Sequence, residues 1–346
     1  MAEISKDLFD ALIKQQINLS RYGNKQAADM VSLLNAADAD IAAKLLKWGE
    51  SQRYSPARLR AILAEIKAMV ADVYGEAADT LRSEMVAFAE HAAEVAAATI
   101  ATQMPLDWKP FGMTQEQINA ILSKAPIRIG KDQSLLFGEL FKGLSAAKEQ
   151  KIRGAVQLGM VEGEPIQTIV QRLVGTKANR FADGVNNISR RDLYNVTHST
   201  VQHVNNQAAA QTMLNNEEVV KGFLSIVTLD SKSCLFCVNA ASKEYKLTDT
   251  GPIWHIGCRC FRAPIVKTFK ELGIDMPEFK QGTRASQGGQ IAADTTYDQW
   301  LRTRPVSEQI EMLGPSRQKM FANGMKVDRF TDNSGKTYTL DQLKKR

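Results

Sequence analysis

Apolar positions recur at three- and four-residue intervals through most of this chain, the spacing that lines one face of an α-helix. Phe9, Leu12, Ile13 and Ile17 mark one helix, and Ala27, Val31 and Leu34 a second in the next segment, before a break at Arg53-Tyr54. Ser55 then precedes Pro56, an N-cap with proline at the first helical position, where its missing N–H leaves no bond unmade. From there Leu59, Ile62, Leu63, Ile66, Met69, Val70, Val73, Tyr74, Leu81, Met85 and Phe88 form one stripe on a helix predicted to reach about Ala101. So long a helix, with Gly75 as its weak interior point, needs apolar partners along its length. Those partners are the preceding helices or other copies of the chain.

Two prolines and a glycine within 104–112 end this region in a linker. Thr114 with Glu116 and Gln117 close behind reads as a capping-box start for a helix with Ile118, Ile121 and Leu122 on its apolar face. After a break at Pro126 to Gly130, helical patterns cover 135–144 and 146–159 and restart at Gly163-Glu-Pro165. One more helix, 188–215, places Leu193, Val196, Thr200, Val204 and Ala208 on a stripe and Arg190, Arg191, His198, His203 and Asn206 on a face that reads as polar surface. His198 and His203, five residues apart, lie on different sides and do not suit joint metal binding.

Period two replaces helical period at 219–229, a strand leading into the turn Asp230 to Ser233, and 243–247 reads as a short return strand. Glycine turns at Gly282, Gly288-Gly289 and Gly314-Pro315 punctuate the remainder, with 286–293 expected to be its flexible part. The expected fold is mainly α, with helical N-terminal and middle regions, a small α+β module and an irregular C-terminal region. Four segments follow: 1–104 with the long helix, 105–187, the module 188–267, and a C-terminal basic tail or arm, 268–346.

Composition narrows the function. The apolar share is 44% and the charged share 24%, and the most apolar long helix still carries Glu90, His91 and Glu94, so no membrane partner is expected. Residues 1–185 hold 22 basic and 22 acidic side chains, whereas 186–346 hold 22 and 16, so the whole net charge of +6 lies in the C-terminal half. A polyanion would bind there, with Arg259, Arg262 and Lys267 as candidate DNA contacts.

The chemistry concentrates between Cys234 and Cys260. All 4 cysteines of the chain lie there, as Cys234-Leu-Phe-Cys237 and, after a loop, His255-Ile-Gly-Cys258-Arg-Cys260. Thiolates and an imidazole converging at this spacing suit zinc, and a reducing compartment favours metal binding over disulfides. Side chains two apart on an extended strand lie about 7 Å from each other, so joint use of Cys258 and Cys260 requires a bend at Arg259. Zinc takes four ligands, so one of the five candidates, Cys234, Cys237, His255, Cys258 and Cys260, is spare. A closed site of this kind is structural, because a catalytic zinc keeps an open position. The deaminase and His-Glu-x-x-His signatures are not present, and Gly335-Lys336-Thr337 reads as a turn rather than a phosphate loop, since Phe330 replaces the required glycine. No enzymatic activity is expected.

Val220-Lys-Gly-Phe223, Ile226 to Cys237, Pro252-Ile-Trp-His255-Ile-Gly-Cys258-Arg-Cys260 and Pro264 together resemble the head morphogenesis domain of tailed-phage minor head proteins, the phage Mu protein F type. The preceding helix, with Arg191 and Asn206, is similar to the family's helix bearing an Arg-Thr pair and an asparagine, although Asp192 stands where the threonine is common. Gly163-Glu-Pro165, Tyr297 to Leu301, Leu313 to Arg317 and Thr339 to Leu343 extend the resemblance over roughly 106–346. The resemblance implies a minor capsid protein of the virion, made in the host cytoplasm and present in few copies near the portal, that acts in head assembly and DNA packaging. Implied partners are portal protein and major capsid protein, with double-stranded DNA and self-association through the long helix as further candidates. The alternatives are a zinc-containing DNA-processing enzyme, a nuclease, or a DNA-binding protein.

Overall fold

The computed structural model describes residues 6–50, 55–104, 108–129, 133–231, 233–241, 243–251, 255–277, 283–292, 295–331 and 336–345. The expected break at Arg53-Tyr54, Pro105 in the linker, Gly130, Gly282, Gly335 and the Pro252-Ile-Trp254 part of the signature lie outside them.

The chain is mainly helical, as its periodicity predicts. Helix α1 (Lys6–Gly49) runs unbroken where two shorter helices were expected, because the stripe of Leu19, Met30, Leu34, Ile41 and Leu45 stays in phase and buried throughout. Helix α2 (Pro56–Ala101) starts as predicted, with the Ser55 hydroxyl accepting from the Arg58 N–H at 3.2 Å. Its stripe from Ile62 to Ile100 is buried. Helix α3 (Gln115–Lys124) opens on a full capping box between Thr114 and Gln117. A two-residue ladder of β1 (Ile127–Arg128) with β2 (Ser134–Leu135) leads to α4 (Phe137–Val161), one helix where the pattern suggested two. After α5 (Ile166–Val174) comes α6 (Val185–Asn215).

Helices α1, α2 and α6 pack on one another, and α4 packs on α2 and α6. One core, from Leu19 to Ala208, takes side chains from α1 through α6, so the boundaries expected at 104/105 and 187/188 both fall inside it. The apolar stripe of α2 is therefore covered by helices of the same chain, leaving little of it for the expected self-association. Helix α6 corrects a second expectation. Of its expected polar surface, Arg191 is exposed and Arg190 and His198 are half-buried, but His203 and Asn206 are buried together with Ser199 and Gln202, because this part of α6 is packed among other elements. Buried polar groups need partners. At the N-terminal end of α6, Asn186 and Arg190 meet Asp38 of α1 and Lys148 of α4, with Lys148 0% exposed and its ammonium bonded to the Asp38 carboxylate and, at 3.2 Å, to Asn186. At the other end Asn216 pairs with both the N–H and the carbonyl of Phe111, at 2.8 Å each, and Asn215 donates to the Gly112 carbonyl. The linker is thus fastened to the end of α6.

Strand β3 (Val220–Ile226) is the centre of a three-stranded antiparallel sheet, between β4 (Glu244–Tyr245) and β5 (Phe261–Val266), with α7 (Leu235–Ala240) in the connection from β3 to β4. A register shift between Val220 and Gly222 puts Val220 with Phe223 against the C-terminal ends of α2 and α6. Leu224 and Ile226 face the other way, onto Leu12 and Ile13 of α1. Gly222 is required there, since a Cβ would collide with the Tyr245 carbonyl of β4.

The C-terminal segment is more regular than the irregular tail or arm expected of it. Residues 286–292, expected to be flexible, belong to a hairpin of β6 (Thr283–Ser286) and β7 (Gly289–Ala292), whose turn is tied to the Leu229 carbonyl through the Gln287 N–H. Helices α8 (Tyr297–Arg302), α9 (Val306–Leu313), α10 (Pro315–Ala322) and α11 (Leu340–Lys344) and a 3-10 helical turn, Val327–Phe330, then close around Trp300, Phe321 and Phe330, all nearly fully buried. Three aromatic anchors within about thirty residues supply the core that the sparse periodicity of these short helices concealed.

Two predictions concern the buried polar groups. Burial pushes Asp38 up and Lys148 down from their ordinary pKa values, each partly restored by the other. Lys148→Met alone should cost ~3–5 kcal/mol in urea unfolding by stranding the Asp38 charge, and adding Asp38→Leu should recover most of it. A double variant as unstable as the two losses summed would refute the pairing. His203 is held by burial at a pKa of about 4. A depressed folded-state value contributes stability that is full above the unfolded pKa of about 6.5 and is lost as pH falls toward 4. His203→Asn should therefore flatten the pH dependence of Tm in that window, a difference of roughly 3 kcal/mol from the wild-type profile.

Candidate metal centre

The two halves of the centre are delivered by different local devices. Cys234 is the N-cap of α7 and its sulfur accepts the Cys237 N–H at 3.4 Å. A cysteine at the N-cap and another three residues on, at the start of one short helix, point to the same side, which is what Cys-x2-Cys spacing achieves. The second half comes from the turn before β5. Gly257 adopts φ +77°, the Cys258 N–H closes back on the His255 carbonyl at 3.1 Å, and the Cys258 and Cys260 sulfurs lie within 4.8 Å of each other, closer than a regular extended strand would set them.

The five candidate ligands come together. His255 Nε2 lies 3.2 Å from Cys234 Sγ and 3.3 Å from Cys237 Sγ, and Cys237 Sγ lies 3.6 Å from Cys258 Sγ. Two sets of ligand atoms, Cys234, Cys237 and His255 on one side and Cys237, Cys258 and Cys260 on the other, each fall within 4.8 Å of one another. Cys237 belongs to both and is the hub. Bonds of 2.3 Å in a tetrahedron place sulfur atoms roughly 3.8 Å apart, so the donor set fits one zinc ion with little movement. Cys258 and Cys260 are 0% exposed, Cys237 is buried and Cys234 stands at the surface. His255 Nδ1 is 2.7 Å from the Ile256 carbonyl, so Nε2 is the ring nitrogen that faces the sulfurs and would bind a metal on losing its proton.

The electrostatics suit a cation. Hydrogen bonding from Cys237, with help from His255, brings the Cys234 thiol down to about 4, whereas Cys237 is pushed up by its hydrogen bonds to Cys234 and the other thiols. Bonding to Cys234 raises His255 to about 9. Sulfurs this close cannot all ionise unaided. A divalent ion removes that conflict and, when bound, joins two loops.

The candidate DNA contacts are placed differently. Arg262, 8% exposed, is stacked 4.1 Å over the Phe223 ring, and burial lowers it to about 10. Arg259 makes a two-pronged ion pair with Asp230, at 3.0 and 2.8 Å. Both guanidinium groups are used inside the chain, which corrects the expectation that they face a polyanion. Lys267 remains near the surface, bonded to the Glu218 carbonyl at 2.7 Å. His198 and His203 are packing residues: His198 sits against Gly23 and His203 is buried.

Asn206, Ser199 and Gln16 hold the backbone of the second half-site. The resemblance singles out Asn206 without giving it a role, whereas Ser199 and Gln16 were not anticipated, and only Ser199, seven residues before Asn206 on one face of α6, leaves a pattern that could have been read. Compared with known proteins, the chain matches no family model, no curated protein and no solved structure. No helix among the described residues is long and apolar enough to cross a membrane.

Elemental analysis of the purified, reduced full chain should find one zinc per molecule. Cys237→Ser should release it and unfold the module, while serine or alanine at the spare position should leave the stoichiometry unchanged. A wild-type protein free of zinc and other transition metals sinks the assignment.

Proposed function

We propose that this chain is a minor head protein of a tailed bacteriophage, acting in head assembly near the portal vertex, with zinc as the staple of its Cys/His module. The observation that supports the reading most directly is the convergence of Cys234, Cys237, His255, Cys258 and Cys260, the residues on which the family resemblance rests, into one cluster. More donors than zinc needs, most of them buried, favour a closed structural ion over a catalytic one. A site of that kind stabilises a surface that other proteins dock on, and portal and major capsid protein are the partners the resemblance implies. Direct DNA contact is the weaker part of the reading, because Arg259 and Arg262 already have partners within the chain.

Mass spectrometry of proheads and mature heads, purified from cells producing the particle, tests this. The chain should co-purify with portal protein at a few copies per head. Its absence from both kinds of particle would overturn the proposal.

A further inference from the structure

The two halves of the metal centre are attached to different parts of the molecule. Cys234 and Cys237 sit on α7, whose Val238 belongs to the core built around Trp300, Phe321 and Phe330. Cys258 and Cys260 sit on the segment that enters β5, and that segment is held by the helical body at three consecutive places. The Ser199 hydroxyl of α6 accepts the Gly257 N–H at 2.8 Å. The Gln16 amide of α1 donates to the Arg259 carbonyl at 2.5 Å. Asn206 of α6 uses both ends of its amide, donating to the Cys260 carbonyl at 3.1 Å and accepting the Arg262 N–H at 3.1 Å. All three side chains are buried. Water therefore competes poorly for these bonds, and the backbone they hold has few other conformations open to it.

We propose that Asn206, Ser199 and Gln16 are positioning residues that pre-form the Cys258–Cys260 half-site, so that metal binding locks the C-terminal helical unit onto the helical body. The proposal rests on the cluster holding one zinc ion. Three hydrogen-bonding side chains on two helices constrain the peptide units on either side of Arg259, where the chain must bend to bring both sulfurs to one ion. Gln16 also ties the metal to helix packing. It lies on the same turns of α1 as Leu12 and Ile13, which cover β3 and β5. Holding the Arg259 carbonyl in place thus holds the first described turns of α1 on the sheet.

The test uses the full chain, stripped of metal and reloaded with zinc alone, in competition with a chromogenic chelator. Asn206→Leu removes both prongs and should weaken zinc binding 10–100-fold, a loss of the size typical for groups that orient metal ligands from behind. Ser199→Ala should have a smaller effect in the same direction. Leu81→Ala, in the helical core away from the cluster, should destabilise the chain yet leave zinc affinity within about twofold. Hydrogen exchange supplies a readout independent of affinity. Removing zinc should speed exchange in α7, in 257–262 and in the first turns of α1, and leave 62–81 of α2 unchanged. If Asn206→Leu fails to fold, Gln16→Leu carries the same comparison. Wild-type zinc affinity in the folded variants, an equal loss in Leu81→Ala, or exchange that ignores zinc would each overturn the proposal. A wild-type chain that holds no zinc removes the site assignment and this proposal together, whereas a zinc-binding wild type with unaffected variants removes this proposal alone.

Discussion

A primary amide buried in a protein has two donors and an acceptor to satisfy, and an unsatisfied one costs about 1–3 kcal/mol. Asn206 meets that demand by bonding to the Gln202 carbonyl of its own helix, to the Cys260 carbonyl and to the Arg262 N–H. The same atoms that relieve the amide fix where β5 begins. Since β5 pairs with β3 along its whole length, and β3 packs between α1 on one side and the ends of α2 and α6 on the other, the placement of the sheet follows from this contact. The cluster of thiols follows in turn, because Cys258 and Cys260 precede β5 directly.

Helix α6 uses this device along its length. Asn186 and Arg190 join Asp38 and Lys148 at one end, Ser199 and Asn206 grip the segment before β5 in the middle, and Asn215 and Asn216 hold the linker at the other end. Apolar packing alone would let neighbouring helices slide by a turn at little loss, since one aliphatic contact resembles the next. A buried polar group is less forgiving: a shift leaves it unpaired. The helix that touches most of the molecule is therefore also the one that sets its registers.

The C-terminal unit has a core of its own and reaches the rest through β6, which packs on α1, and through contacts near the metal centre. Tyr297 donates to the Asp230 carbonyl, Asp230 holds Arg259, and Gln287 binds the chain on either side of that turn. A metal ion held by α7 and the segment before β5 would sit across this junction.

Much of the fold was legible in the sequence because its causes are local. The Ser55-Pro56 start of α2, the capping box at Thr114 and the long in-phase stripe depend on neighbours in the chain and formed as their residues predict, and the strand expected over 219–229 formed over the shorter span 220–226. The spacing of Cys-x2-Cys and His-x2-Cys-x-Cys likewise determined which side chains would meet, since few chain paths bring those donors together otherwise. Tertiary structure alone decided what covers what. His203 and Asn206 of α6 read as solvent-facing until the neighbouring elements close over them, and Arg259 and Arg262 read as free cations until Asp230 and Phe223 occupy them. Gln16 gives no sign in sequence of its bond to a carbonyl 243 residues away. Periodicity records a preference for burying apolar groups, but a polar side chain is at home in water or against a matching partner, and only the assembled fold determines which it finds.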